Sequence, residues 1–374
     1  MDEVLIVGGG IGGLATSIAL SEAGHDVKVV EIQPDLQSSV LGVGIIQPVN
    51  ALRALEMIGC AEACLEQGYP ASKWMKMLDA EGEVVHEMPG DRIPGSDLPP
   101  LNGITRPRLH EILTARALDA GVEIEYGRTI DSLEDRGDRV EVVFDDASSA
   151  PFAVVVGADG VRSAVRRHVV PDARPAYNGQ SAFRVTIPRE PEIDCIVLQH
   201  GPSGSAGMVP LAEDLAYLFY NTAWDRDRRP ADDELHVLLR ERLAPFGGVT
   251  GRIRDRYVDE RANIVLRPEE WLIAPPPWHR GRIVLIGDAV HTVTPHLGQG
   301  AAQAIEDGIV LAQALGAHDT VEAAFREYAE RRYERCRLVV ETGVAIGEWQ
   351  QGRRPDLDER ALRRRVLDAM LEPV

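Results

Sequence analysis

Basic residues are scarce in this sequence relative to acidic ones. Its 374 residues include 40 Lys and Arg against 59 Asp and Glu, which gives a formal net charge of -19. A surface with this excess of negative charge repels the phosphates of nucleic acids and of anionic lipids. We therefore expect neither nucleic-acid binding nor membrane binding.

Cysteines and long apolar runs are also few. No second Cys or His pair accompanies Cys60 and Cys64, which predicts core thiols in a reducing compartment and no metal site. The apolar stretch from Val4 is interrupted by glycines and preceded by Asp2 and Glu3 instead of the positive region of a signal peptide. Because no apolar run is long enough to span a membrane, we expect a cytoplasmic protein.

What the sequence does contain is a βαβ unit at its start. The apolar run Val4–Val7 predicts a buried parallel strand, and apolar residues then recur at helical spacing up to Gly24. A second apolar strand follows and ends at Glu31. The turn between the first strand and the helix reads Gly-Gly-Gly-Ile-Gly-Gly over residues 8–13, which satisfies the GxGxxG pattern.

Each element of this pattern serves the binding of a dinucleotide. Gly8 permits the tight turn, Gly10 lets the backbone approach a pyrophosphate, and Gly13 lets the helix lie close to the sheet. The helix N-terminus offers unpaired N–H groups to the phosphates. Glu31 can accept hydrogen bonds from ribose hydroxyls and disfavours a 2′-phosphate. This predicts a dinucleotide site, and the pattern alone serves NAD and FAD equally well.

The remaining patterns predict a second, different sheet. Residues 181–221 alternate in polarity with no helix between strands, which is typical of an antiparallel sheet with one exposed face. From residue 299 onward nearly all of the sequence has helical character. We predict an α/β fold in which a GxGxxG Rossmann-like domain is interrupted by a mostly antiparallel β-sheet substrate domain and followed by a helical C-terminus. The predicted limits are 1–72, 101–176 and 268–320 for the nucleotide-binding domain, 73–100 and 177–267 for the antiparallel sheet domain, and 321–374 for the C-terminal helices.

Further motifs resemble one enzyme family. Residues 157–163, Gly-Ala-Asp-Gly-Val-Arg-Ser, follow an apolar strand and resemble the "DG" motif of flavoprotein aromatic hydroxylases. Residues 287–307 begin Gly-Asp-Ala-Val-His and resemble the "GD" motif and its continuation. The stretch 42–51 and the helix start at Thr105-Arg106 also resemble that family. The chain is thus similar to the single-component FAD-dependent monooxygenases, the class of 4-hydroxybenzoate hydroxylase and of the short salicylate, hydroxypyridine and urate hydroxylases.

The resemblance implies FAD as the cofactor, with NADH or NADPH as a transient co-substrate. Asp288 would hold ribityl or ribose hydroxyls, and Arg106 would place positive charge near the flavin or its diphosphate. Asp159 would lie near the pyrophosphate, and Arg162 would point toward the approach of the nicotinamide nucleotide. A side chain at Gly300 would collide with the flavin ring. The full predicted cofactor set is Gly8, Gly10, Gly12, Gly13, Glu31, Arg106, Asp159, Arg162, Asp288, Pro295, Gly298, Gln299 and Gly300.

The resemblance also implies the reaction. NAD(P)H would reduce the flavin, O2 would react with it, and a flavin hydroperoxide would attack a small electron-rich aromatic or heteroaromatic ring. The chain lacks the second GxGxxG and the redox-active cysteine pair of glutathione-reductase-like flavoenzymes. An FAD-dependent oxidase or reductase without oxygen transfer, and a non-enzymatic nucleotide-binding protein, remain as alternatives. The sequence leaves the ring, the choice of NADH or NADPH, and a homodimer open.

Candidate catalytic residues follow from the chemistry of ring hydroxylation. Loss of a proton from a ring hydroxyl assists the reaction, so we expect a base or hydrogen-bond acceptor over the flavin. Tyr217 is either that group or a core residue, and Gln47 is predicted to face the ring pocket. Arg184 either anchors an anionic substrate or pairs on the surface. His296 is either a proton relay or a residue of the pocket rim.

Overall fold

The three-dimensional structure is a computed structural model that describes residues 3–39, 43–202 and 204–374. Asp2, and Gly42 at the start of the motif at 42–51, lie outside the described residues. The strands are β1 (Glu3–Val7), β2 (Asp26–Glu31), β3 (Gly44–Pro48), β4 (Tyr69–Ala71), β5 (Met75–Leu78), β6 (Val84–Met88), β7 (Leu101–Thr105), β8 (Glu123–Tyr126), β9 (Ile130–Asp135), β10 (Val140–Phe144), β11 (Ser149–Phe152), β12 (Val154–Gly157), β13 (Ala176–Pro188), β14 (Ile196–Gly201), β15 (Gly204–Pro210), β16 (Leu215–Ala223), β17 (Ile264–Trp271), β18 (His279–Arg280) and β19 (Ile283–Leu285).

The helices connect these strands and then form the C-terminal part of the chain. Short 3-10 turns cover Asp232–Glu234, Gly287–Ala289 and Pro295–Leu297. The α-helices are α1 (Ile11–Glu22), α2 (Leu36–Ser39), α3 (Val49–Met57), α4 (Ala61–Gln67), α5 (Arg106–Asp119), α6 (Arg166–Val169), α7 (Leu235–Leu243), α8 (Gly248–Tyr257), α9 (Gly300–Ala317), α10 (Val321–Gln350) and α11 (Glu359–Leu371). None of them, within the part of the chain described, is long and apolar enough to cross a membrane.

The first sheet is the predicted Rossmann-like unit. Its order is β18-β19-β12-β1-β2-β8, and β1 pairs in parallel with both β2 and β12. Residues Val4–Val7 are all buried, which explains why their sequence is continuously apolar rather than alternating. α1 returns from β1 and packs against α9. The α/β fold class predicted from the sequence is confirmed.

The second sheet has the predicted antiparallel character, with one parallel pair. Its order is β17-β13-β16-β15-β14-β5-β6, and only β14 and β5 run in parallel. Helices α7 and α8 cover one face, where Phe183 and Leu218 lie in their apolar cluster. Successive strand residues point to opposite faces, so Arg184 and Tyr217 lie on the other face. That face is turned toward the first sheet and forms part of a cavity.

A buried ionic cluster ties α9 and α10 to the turn that follows β19. Arg332 of α10 donates from Nε to Asp307 Oδ1 at 2.7 Å and from Nη1 to Glu306 Oε2 at 2.7 Å. Asp307 Oδ2 accepts a second bond from the backbone N–H of Gly287 at 2.8 Å and lies 2.6 Å from His291 Nε2. Burial alone would raise the pKa of Asp307, but the charges of His291 and Arg332 outweigh it and hold the pKa below its usual value. The cluster therefore orients the turn and the helix together.

Replacement of Arg332 by methionine should destabilise the protein strongly, because it removes the one cation that pairs with both buried carboxylates and leaves Glu306 with Arg335 and Asp307 with His291. We expect the free energy of unfolding, measured by urea denaturation, to fall by about 3–5 kcal/mol. Arg337→Met is the matched control on the same helix, since Arg337 pairs with Glu334 and Glu341 at the surface. Its cost should stay below about 1 kcal/mol. Equal costs for the two variants would contradict the structural role of the cluster.

Candidate active site

A cavity of about 460 Å³ lies between the open face of the antiparallel sheet and the segment that runs from the β19 turn to the start of α9. The sheet contributes Arg184, Tyr217, Phe219 and Glu269, and the opposite wall contributes Asp288 and the residues from 292 to 301. Ile46 of β3 and Arg106 of α5 complete it. The cavity thus brings together residues that are far apart in the sequence.

The glycine-rich turn packs closely on its own chain at Gly8 and Gly13 and leaves open space at Gly10, as the sequence predicts. Gly8 has φ +110°, and a Cβ there would lie 2.5 Å from the carbonyl oxygen of Ala158. A Cβ at Gly13 would lie 2.0 Å from the carbonyl oxygen of Gly8. At Gly10, by contrast, a Cβ would meet nothing within 4 Å. Gly8 and Gly13 are therefore required by the chain's own packing, and the space beside Gly10 is left open at the N-terminus of α1.

Gly12 and Glu31 frame the same turn. A Cβ at Gly12 would lie 3.0 Å from the Cβ of Ala304, so this glycine allows α1 to pack closely on α9. Glu31, at the end of β2, accepts a hydrogen bond from the backbone N–H of Gly9 at 2.7 Å and another from that of Gln33 at 2.9 Å. These bonds hold its carboxylate beside the turn, where acceptor capacity remains for ribose hydroxyls.

Asp159 and Arg162 lie on the loop that follows β12. The Asp159 carboxylate accepts hydrogen bonds from the backbone N–H groups of Ala164 at 2.6 Å and Val165 at 3.1 Å, and from the Ser163 hydroxyl at 2.5 Å. It thereby shapes the loop that packs on Gly8. Arg162 is 65% exposed and donates to Glu270 on β17 at 2.8 Å. This ion pair connects the two sheets at the cavity mouth.

Asp288 lies after β19 with its exposed surface turned into the cavity rather than to bulk solvent. Because protein encloses the cavity, burial raises the pKa of Asp288, while the charges of His291 and Arg106 oppose that effect. No hydrogen bond within the described residues occupies its carboxylate. The group is therefore free to accept bonds from the hydroxyls of a ligand.

The start of α9 leaves a surface that a planar ligand can approach. Gly298 has φ +64°, and a Cβ there would lie 3.2 Å from side-chain carbons of Ile46. A Cβ at Gly300 would meet nothing within 4 Å. Pro295 is exposed on the cavity wall. The Gln299 side chain instead faces the interior, where its Oε1 accepts from Asn50 Nδ2 at 3.1 Å, so only its backbone is available to a cofactor.

Two arginines reach the cavity without a partner. Within the described residues, the side chains of Arg106 and Arg184 form no hydrogen bond and no ion pair, although the opposite walls bring them close enough to repel each other. Burial lowers the pKa of Arg106, the Asp288 charge opposes this, and Arg184 lowers the pKa further. Unpaired guanidinium groups in an enclosed site favour the binding of an anionic ligand, or of a ligand with negative charge on one edge.

Tyr217 faces the cavity, as it must if it is the base or hydrogen-bond acceptor over the flavin rather than a core residue. It is 7% exposed, and a Cβ at the neighbouring Gly44 would lie 2.6 Å from its ring. Burial raises the pKa of Tyr217 to about 12, partly offset by the charge of Arg184. The hydroxyl is therefore neutral near pH 7 and can donate or accept a hydrogen bond, but it is poorly suited to be a base.

The placement of Gln47 in the ring pocket is corrected by the structure. Its Oε1 accepts from Asn102 Nδ2 at 2.6 Å in the interior, and Gln47 does not line the cavity. Gln47 is the residue of β3 that pairs with Asn102 of β7, so its side chain is held in the interior beside that strand, whereas residues 44–46 line the cavity.

His296 is a buried residue of the cavity wall. Its Nε2 lies 3.2 Å from Gln180 Oε1 and 3.1 Å from Gln350 Oε1, and its Nδ1 lies 3.0 Å from Thr294 Oγ1. Burial and the charge of Arg363 lower the pKa of His296 to about 3. The imidazole is therefore neutral and does not take up a proton near pH 7.

Sequence reasoning missed Glu269, which is 3% exposed and lines the cavity. Its neighbours Pro268 and Glu270 make the segment look like an exposed, charged strand edge. The pairing of β17 with β13 shifts register between Tyr177 and Ser181, and the sequence contains no signal for that shift.

Residues 1–343 match the model of a family described as FAD binding domain. The chain is 32% identical over 355 residues to 2-heptyl-3-hydroxy-4(1H)-quinolone synthase of Pseudomonas aeruginosa, covering 93% of this chain and 90% of that protein. It is 31% identical over 364 residues to 6-hydroxynicotinate 3-monooxygenase of Pseudomonas fluorescens, covering 90% and 89%. The crystal structure of Klebsiella pneumoniae HpxO with FAD and uric acid superimposes with a TM-score of 0.87 at 23% identity, over 99% of this chain and 96% of that one.

Substitution of Gly10 by alanine should weaken FAD binding without unfolding the protein. Gly10 has φ -75° and ψ -177°, which alanine adopts freely, and its Cβ would meet only the space left for the pyrophosphate. We expect the FAD affinity of deflavinated protein, followed by flavin fluorescence, to fall by about tenfold or more, equivalent to ~1.4 kcal/mol.

Gly316→Ala is the control, since a Cβ there also meets nothing within 4 Å but lies near the far end of α9. Its FAD affinity should equal that of the wild type. Unchanged FAD affinity in Gly10→Ala would show that the cofactor does not occupy the space at the N-terminus of α1.

Proposed function

The chain belongs to the FAD-binding-domain family and is an FAD-dependent monooxygenase, and we propose that it uses NADH or NADPH and O2 to hydroxylate a small, electron-rich aromatic or heteroaromatic ring. One observation carries this proposal. The cavity presents open cofactor-facing groups on one wall, at Asp288 and Gly300, and unpartnered polar groups on the other, at Arg184 and Tyr217. A flavin and a substrate ring can therefore be held face to face.

The cofactor roles follow from the contacts of each residue. We propose that the space beside Gly10 and the N–H groups of α1 receive the pyrophosphate, and that Glu31 binds the ribose of the adenosine. Asp288 would bind ribityl hydroxyls, and the N-terminus of α9 would face the flavin edge that becomes negative. When bound, FAD supplies acceptance of a hydride from NAD(P)H and activation of O2.

The residues of the antiparallel sheet would hold the substrate. Apolar side chains at Ile46, Leu198 and Phe219 line this part of the cavity and would exclude water from the reacting atoms. Arg184 would bind an anionic substituent of the ring, and the neutral Tyr217 hydroxyl would donate to or accept from a ring oxygen or nitrogen.

The named relatives narrow the class of ring. The quinolone synthase and the hydroxynicotinate monooxygenase are named for nitrogen heterocycles that carry an oxygen substituent. We propose that this chain also acts on a ring with a hydroxyl or oxo group, which the polar side of the cavity would recognise. The hydroxynicotinate relative is named a monooxygenase, which favours oxygen transfer by this chain over an FAD oxidase or reductase that transfers no oxygen.

The assignment of the two sheets to separate tasks is also a proposal. The Rossmann-like sheet would hold the cofactor, and the antiparallel sheet would hold the substrate. The Arg162–Glu270 ion pair at the mouth would then lie on the path by which the nicotinamide nucleotide approaches.

Oxygen transfer is the decisive test. The FAD-loaded protein would be supplied with NADH or NADPH and a panel of hydroxybenzoates, hydroxypyridines, quinolones and purines under isotopically labelled O2. We expect at least one ring to accelerate NAD(P)H oxidation and to gain one labelled oxygen atom by mass spectrometry. Ring-stimulated NAD(P)H oxidation that yields only hydrogen peroxide would instead support an oxidase.

Arg184→Met should weaken the binding of the ring that the panel identifies, if that ring carries a carboxylate or an acidic hydroxyl. Loss of one buried charge-assisted contact corresponds to about 1.5–3 kcal/mol, so KM should rise roughly 10- to 100-fold. Arg267→Met is the matched control, because Arg267 is exposed on the adjacent strand and does not line the cavity. If neither substitution changes KM, Arg184 does not bind the substrate.

A further inference from the structure

The cavity wall contains a carboxyl group that the cofactor does not use. Glu269 lies on β17, on the substrate side of the cavity, and is 3% exposed. We propose that Glu269 is the catalytic base that removes the proton from a ring hydroxyl of the substrate, while Arg184 stabilises the oxyanion that forms. This inference rests on the proposed hydroxylation of an aromatic ring and assigns a group that the sequence did not identify.

The hydrogen bonds of Glu269 leave one of its oxygens without a partner. Oε2 accepts from Asn178 Nδ2 at 3.0 Å and lies 3.6 Å from His296 Nε2. Oε1 is buried and has no hydrogen-bond partner within the described residues. A buried polar atom without a partner is costly, and uptake of a proton by the carboxyl group would lower that cost by removing its charge.

The charged and titratable groups around Glu269 come from several elements. Arg184 of β13 faces it and lowers its pKa without forming an ion pair with it. His296 approaches from the 3-10 turn and is neutral, and Tyr177 of β13 lies within electrostatic range. Arg353, beyond α10, binds the backbone oxygen of Asn178 at 2.7 Å. Arg184 is therefore the cation that faces both Glu269 and the cavity.

The adjacent Glu270 does not share this environment. Its Oε2 pairs with Arg162 at 2.8 Å, and its Oε1 pairs with Arg226 at 2.6 Å. These two ion pairs occupy both carboxylate oxygens of Glu270. The two successive glutamates of β17 thus differ, and only Glu269 retains a free acceptor.

The proton transfer conserves charge within the site. The O–H bond of the ring hydroxyl breaks, its proton bonds to Oε1 of the Glu269 carboxylate, and the bonding electron pair stays on the ring oxygen. The negative charge passes from Glu269 to that oxygen, beside the Arg184 guanidinium. Because the step only moves one negative charge from Glu269 to the ring oxygen, it changes neither the number nor the sign of the charges in the buried site. The oxyanion donates electron density into the ring and prepares its carbon for attack by an electrophilic oxygen.

The other candidate groups are less suited to this step. Tyr217 and His296 both lie at the cavity wall, but Tyr217 is neutral with a high pKa and His296 is neutral with a low one. Burial raises the pKa of Glu269 to about 7, against the opposing effects of Arg184 and the Asn178 hydrogen bond. Glu269 is therefore protonated below that pH and becomes a competent base as the pH rises through about 7.

The test follows the ionisation of a bound phenol, which requires neither NAD(P)H nor O2. FAD-loaded wild type would be titrated with 4-nitrophenol, whose phenol and phenolate absorb differently, and difference spectra would be recorded across pH. We expect wild type to raise the bound phenolate-to-phenol ratio relative to the free probe as the pH passes through about 7. Because Glu269 holds the transferred proton, binding of the phenolate to the wild type above that pH should take up about one proton from the buffer. Binding to Glu269→Gln should take up none, as measured by calorimetry in two buffers of different ionisation enthalpy.

Two further variants separate this role from a structural one. Glu269→Asp retains a carboxyl group and should restore part of the proton uptake. Glu213→Gln, at an exposed turn between β15 and β16, should behave as wild type. Thermal unfolding and FAD content would be measured for each variant, and Glu269→Gln should match the wild type in both.

Each outcome bears on a different proposal. Binding of 4-nitrophenol as the neutral phenol by wild type, no spectral change with wild type, or a proton uptake in Glu269→Gln equal to that of wild type would each overturn the role of Glu269. None of these results would affect the labelled-oxygen experiment, which tests hydroxylation with the wild type alone. Conversely, the wild type could form the bound phenolate and yet transfer oxygen to no ring. That result would leave the role of Glu269 as a base standing and would contradict the proposed hydroxylation.

Discussion

The burial of Arg332 between Glu306 and Asp307 is the constraint on which the geometry of the cavity depends. The three side chains are 0% exposed, so their charges must be satisfied within the protein. Asp307 does so partly by binding the backbone of Gly287, which fixes the turn that carries Asp288. The same helix, α9, begins at Gly300, which also lines the cavity. One ionic cluster therefore sets the relative position of the Asp288 turn and the start of α9 on the same cavity wall.

The cavity itself arises because two sheets of different type meet across it. The parallel sheet is covered on both faces and presents only its strand ends and helix N-termini, which suit phosphates and ribose hydroxyls. The antiparallel sheet has helices on one face, so its other face is free to present side chains such as Arg184 and Tyr217. This division places strand ends and helix N-termini on one side of the cavity and side chains of an open sheet face on the other.

Much of this architecture was predictable from local pattern. The βαβ unit, the motif turns after β12 and β19, and the alternation of the antiparallel strands each depend on residues close together in the sequence. The glycines at 8, 10 and 13 show the same logic, because each spacing already implies a turn geometry. Gln47 and Glu269 are two residues for which prediction from the sequence failed. Gln47 was assigned to the ring pocket instead of the interior, and Glu269 was not distinguished from the surface glutamates around it.

The sequence by itself determined the fold class, the dinucleotide turn and the family, because these are encoded by short-range periodicity and by motifs of fixed spacing. Only the tertiary structure decided which polar side chains face the cavity. Strand register and bulges set the direction of each side chain, and a shift of one residue moves it to the opposite face. The tertiary structure also decided the protonation of Glu269, His296 and Tyr217, since burial and the nearby charges of Arg184 and Arg363 depend on segments far apart in the chain.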